Sequence, residues 1–107
     1  MAITINIYYK GVGENAKKFA DEMIASGIVK KIQAEEGNLR YEYFYPRNDN
    51  TTVLLIDSWK NQEALDVHHS TSMMSEIMKL REKYDLHMTV ERYVSDATAE
   101  DSGFIRK

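Results

Sequence analysis

The stretch Leu39-Arg40-Tyr41-Glu42-Tyr43-Phe44-Tyr45-Pro46-Arg47-Asn48-Asp49-Asn50-Thr51-Thr52-Val53-Leu54-Leu55-Ile56-Asp57-Ser58-Trp59 decides the fold. Leu39 to Tyr45 is a tyrosine-rich run of strand type, ended by Pro46 and the polar turn from Arg47 to Asn50. Thr51 to Trp59 is a second, largely apolar strand, and only a hairpin fits so short a gap. Upstream, Ala16, Phe19, Ala20, Met23 and Ile24 fall at helical spacing, with Lys17, Lys18, Asp21 and Glu22 on the other side. Gly27 interrupts that helix, but Ile28, Val29 and Ile32 carry helical turns on to Gly37, which reads as a left-handed cap. Before the Gly11-Val12-Gly13 break, Ile3, Ile5 and Ile7 alternate with Thr4, Asn6 and Tyr8, the period of a strand.

Downstream of the hairpin, a second helical region starts at Asn61, a good N-cap type, and includes Ala64, Leu65, His68, Ile77, Met78 and Leu80 before ending near Asp85. Ser70-Thr71-Ser72 is expected to kink or restart it, and Leu86 to Val94 alternates again as a fourth strand. The order β-α-β-β-α-β predicts an α+β domain of the ferredoxin-like, split βαβ type over residues 1–95. Its four-stranded antiparallel sheet would carry two helical layers on one face. An apolar sheet face left bare exceeds what soluble monomers usually expose, so a homodimer packed sheet against sheet, a dimeric α+β barrel, is expected. Residues 96–107 form a tail, acidic and small-residue-rich until Phe104-Ile105, either frayed or reaching a partner subunit.

Composition narrows the function. At 107 residues the chain is expected to bury roughly 65% of its unfolded surface as one domain without staples. It has no cysteine, which excludes disulfides, iron–sulfur clusters, thiolate zinc sites and cysteine nucleophiles and makes a cytoplasmic protein the simplest reading. A net charge of -3 with scattered lysines and arginines argues against nucleic acid. Met1 to Tyr9 has no basic leader and falls short of the roughly 20 residues that span a bilayer, so neither export nor a membrane is expected.

Candidate chemistry clusters after the hairpin. His68 stands about two turns into a helix that doubles back over the strand closed by Trp59, so indole and imidazole are expected to face one space. In the split βαβ topology strands one and three are neighbours, which is expected to bring Asn6 into the same pocket. Each has a simpler structural role in competition: Trp59 as core, His68 as a helix residue bonded to a carbonyl, Asn6 as part of the sheet's own hydrogen bonding. His69 points about 100° away along the helix, toward solvent, and adjacent histidines do not converge readily on one metal, so no metal is expected. Tyr41, Tyr43 and Tyr45 share one face of the second strand and would line a cavity for a flat ligand or a dimer contact. Met73, Met74 and Met78 would serve as an adaptable pocket wall or as core.

The motif Glu35-Glu36-Gly37-Asn38-Leu39 running into Tyr41, with Trp59-Lys60-Asn61-Gln62-Glu63-Ala64-Leu65 followed by His68, resembles the antibiotic biosynthesis monooxygenase family across nearly the whole chain. That family comprises small dimeric α+β barrel proteins, including quinol monooxygenases and, more distantly, haem-degrading enzymes. Its pattern commonly places a second histidine five positions after the first, preceded by serine; here that position is Met73, so any such role is lost or passed to His69. The resemblance implies a cofactor-free monooxygenase acting with dioxygen on a small quinol or dihydroxyaromatic. His68 would be the base, Asn6 a donor to the substrate oxygen and Trp59 the stacking wall, with Tyr41, Tyr43, Met73 and His69 as further substrate contacts. Two other classes stay open at this point: a haem-binding or haem-degrading protein with a histidine axial ligand, and a non-oxidative binder or isomerase using the same cavity.

Overall fold

Local chemistry sets each break in the chain. The computed structural model describes residues 1–96 and 102–106. Along it run β1 (Ile3–Lys10), α1 (Asn15–Ala25), α2 (Ile28–Gln33), β2 (Asn38–Phe44), β3 (Thr52–Trp59), α3 (Gln62–His69), α4 (Met73–Lys83) and β4 (His87–Val94), with a short 3-10 turn at Ser102–Phe104. Gly27, at φ 84°, divides α1 from α2, because the left-handed region cannot continue a right-handed helix. Between α3 and α4 the Ser70 and Thr71 hydroxyls donate to the Val67 and His68 carbonyls at 2.6 and 2.9 Å. Those short side chains thus take acceptors that a continuing helix would use, and the expected restart falls at Met73. The hairpin turn is tied by Asp49, whose carboxylate accepts from the Thr51 amide and from the Thr51 and Thr52 hydroxyls. These bonds hold the Asp49 carboxyl well below the usual range.

The strand order is β2-β3-β1-β4, with every neighbouring pair antiparallel, as the ferredoxin-like reading requires. Register decides which side chains meet. Ile3, Ile7 and Tyr9 stand opposite Trp59, Leu55 and Val53, and these residues face the helices, where Phe19, Met23, Ile32, Leu65 and Ile77 close the core. Thr4, Asn6 and Tyr8 pair with Ser58, Ile56 and Leu54 on the opposite, helix-free face. The expectation that Asn6 joins Trp59 and His68 in one pocket is therefore corrected. Strands one and three are indeed neighbours, but the side-chain period of two puts Asn6 on the far side of the sheet. There its Oδ1 is buried without a hydrogen-bond partner.

Tyr41 and Tyr43 lie opposite Asp57 and Leu55 on the helix face, while Tyr45 falls just past β2 and is exposed. Of the expected tail, residues 97–101 and 107 lie outside the described residues; Phe104 and Ile105 are exposed. Among the described residues no helix is long and apolar enough to cross a membrane.

Candidate functional site

α3 begins where the Asn61 side chain accepts from the Ala64 amide at 2.9 Å, satisfying one of the free donors at a helix start. Ala64, Leu65 and His68 then form its buried stripe, which carries His68 inward while Val67 and His69 face out. The imidazole of His68 is only 3% exposed. It stacks on Trp59 with ring centroids 4.7 Å apart and planes 26° from parallel. Because Trp59 shares its face of β3 with Asp57, two residues back, its indole Nε1 donates to Asp57 Oδ1 at 2.7 Å. Asp57 is itself buried, and burial pushes its carboxyl up to about 6, against the opposing effects of the Trp59 bond and of nearby His69 and Arg81.

The other edge of the imidazole meets a second acid. His68 Nδ1 and Glu35 Oε2 are 2.7 Å apart, while Glu35 Oε1 is buried with no partner. Glu35 rides on the turn after α2, where its amide donates to the Ile32 carbonyl and its carbonyl accepts from Asn38. That turn is fastened to the start of α3 by the Lys60 amide, which donates to the Gly37 carbonyl at 2.8 Å. Gly37 sits at φ 85°, and a Cβ there would fall 2.6 Å from the Cβ of Ala64. Only glycine allows so close an approach of turn and helix.

A cavity of about 280 Å³ opens beside this pair, lined by Glu35, Glu36, Lys60, Asn61, Glu63 and His68 among others. Its mouth is polar, with Lys60 bonded to Glu36 at 3.2 Å. Outside the cavity lining, Tyr41 lies edge-on to His68 at 6.4 Å and to Tyr43 at 6.0 Å. Tyr9, fully buried, accepts from Arg81 at 2.9 Å. Burial raises the phenols of Tyr9, Tyr41 and Tyr43, so all three stay protonated at neutral pH. Among the described residues no three histidine, aspartate or glutamate side chains are grouped as a metal would require.

The structure thus brings together two of the residues expected to do chemistry, His68 and Trp59, and leaves Asn6 on the other face. Tyr43 and Met73 pack against the core rather than lining the cavity, and Tyr41 instead borders a second hollow of about 400 Å³ along edge strand β2. His69 is exposed, with its ring 5.5 Å from that of His68. Sequence reasoning missed Glu35, Asp57 and Arg81. For Asp57 there was a signal: a lone acid in an apolar strand, at even spacing from the tryptophan.

An antiparallel ferredoxin-like sheet, helices on one face, and a buried histidine held between an indole and a carboxylate define a small α+β protein with a cavity beside that histidine. Residues 2–80 match the family described as antibiotic biosynthesis monooxygenase, and the chain belongs to that family. YcnE of Bacillus subtilis (strain 168) is 30% identical over 70 residues, which cover 65% of this chain and 72% of YcnE. Among solved structures, PA3566 of Pseudomonas aeruginosa superposes with a TM-score of 0.75 at 22% identity, covering 90% of this chain and 95% of that one. SnoaB of Streptomyces nogalater, a cofactor-independent oxygenase, does so with a TM-score of 0.74 at 10% identity, covering 92% and 97%. At these identities the two structures speak for the fold.

Proposed function

We propose that this protein is a cofactor-free monooxygenase of a small quinol or dihydroxyaromatic, with His68 as general base. The observation that carries the reading is the setting of His68: nearly buried, stacked on Trp59, bonded through one nitrogen to Glu35, and bordering a cavity of about 280 Å³. That volume suits a one- or two-ring ligand, at the small end of ligand pockets. Family membership and the fold shared with SnoaB favour oxygen chemistry over other uses of the same cavity.

Deprotonation of a phenol by His68 yields a phenolate electron-rich enough to reduce dioxygen. A C–O bond then forms between dioxygen and a ring carbon, that carbon loses its hydrogen as a proton while the O–O bond breaks, and the second oxygen leaves as water after receiving two protons, one of them returned by His68. The substrate supplies all four electrons, two in going from quinol to quinone and two in taking up oxygen, and emerges as the hydroxyquinone. The chain's part is to take and return a proton, to hold the ring plane, and to exclude water. A homodimer packed through the helix-free sheet face belongs to the same proposal, since Leu54, Ile56, Phe44 and Tyr8 lie partly exposed there.

An oxygen electrode with a panel of quinols and no added cofactor tests it. Uptake is expected, and His68→Ala should lower it by about 10² to 10⁴-fold, the usual contribution of a positioned acid–base group. His69→Ala should be mild. No uptake from any quinol, together with a Soret band on haem titration, would replace this reading with haem handling. Ligand binding with neither result would make the protein a non-oxidative binder or isomerase.

A further inference from the structure

We propose that Glu35 is the positioning residue of this site: its carboxylate keeps the imidazole proton of His68 on Nδ1, and so makes Nε2 the basic nitrogen. This rests on the reading of His68 as base. An ionised carboxylate can only accept, so at 2.7 Å from Oε2 the neutral ring must present Nδ1–H. The other tautomer would set a nitrogen lone pair against an oxygen lone pair. Free imidazole side chains favour a proton on Nε2, which would leave nothing to accept a substrate proton at that atom.

Four further features agree with a built device rather than an incidental ion pair. Trp59 fixes the plane of the ring by stacking, leaving Glu35 to fix its proton. The turn that carries Glu35 is clamped onto α3, the helix that carries His68, by the Lys60–Gly37 backbone bond and by the close packing of Gly37 on Ala64. Glu35 Oε1 is buried and unpartnered, an arrangement that stability alone disfavours. The contact spans 33 residues of chain, so local sequence does not impose it.

The test uses ¹⁵N-histidine-labelled protein at a pH where histidines are neutral, with His87→Gln, at the start of edge strand β4, as an assignment control. In the unaltered protein His68 should show a protonated Nδ1 and a bare Nε2. Glu35→Ala should shift His68 toward the Nε2–H tautomer and lower kcat by at least about 10-fold, with KM within about twofold. Glu35→Gln, whose amide oxygen still accepts from Nδ1–H, should keep more of both, and it guards against a fold failure of the alanine variant. Nε2–H as the main form in the unaltered protein would overturn the proposal. So would a shifted tautomer with undiminished kcat. The spectral arm needs no turnover: if no quinol is oxidised, the oxygenase reading falls while the hold of Glu35 on His68 is still decided.

Discussion

Asp57 shows how one side chain sets both stability and site. Its carboxyl is raised to about 6 in the folded protein, chiefly by burial, against about 4 when unfolded. Between those values the folded state binds the extra proton, so stability is highest below about pH 4 with respect to this group and falls as pH rises to about 6. The loss is about 3 kcal/mol at neutral pH, an order-of-magnitude figure from that two-unit difference. Asp57→Asn, whose amide oxygen still accepts from Trp59, should therefore be more stable than the unaltered protein at pH 7 and lack its decline between pH 4 and 6; urea unfolding at several pH values checks this. At this scale the sequence was only half legible. His68 stands nine positions after Trp59, and helix geometry predicts their meeting. Glu35 reaches the site from an element whose docking no local pattern encodes. Asn6 failed for a different reason: strand adjacency can be read from topology, but a one-residue difference of parity sends a side chain to the other face.

Elements were more legible than contacts, because hydrophobic period, glycine and capping residues act over a few positions. The four strands and the two helical regions fall where alternation and 3.6-residue spacing put them, and both expected interruptions, at Gly27 and after Ser70, are real. Gly37 is the instructive exception. Sequence suggested a helix cap, yet α2 ends at Gln33, and the glycine serves instead to let the turn lie against α3. Gly37→Ala combines a left-handed backbone with a collision with Ala64, and should cost roughly 1–3 kcal/mol. Adding Ala64→Gly should recover the part due to collision but not the part due to φ, a coupling that a double-mutant cycle of unfolding free energies measures. At the start of α3, Asn61→Ala should cost about 1 kcal/mol through the lost cap.

For the whole molecule the decisive feature is the helix-free sheet face. Asn6 and Ile56 lie opposite one another at its centre, both partly exposed. Sedimentation should show a dimer at micromolar concentration, and Ile56→Glu should yield monomers by placing a charge in the middle of the contact. A stable 12.4 kDa monomer of the unaltered chain would remove the barrel. The same two-sidedness makes the chain's single tryptophan a selective optical reporter. Trp59 looks toward the helices and lies against His68, with the sheet between it and the proposed subunit contact. Its fluorescence should therefore change when a ligand fills the cavity or when His68 is replaced, and stay constant when dimers dilute apart. One unlabelled emission spectrum would thus tell occupancy from association.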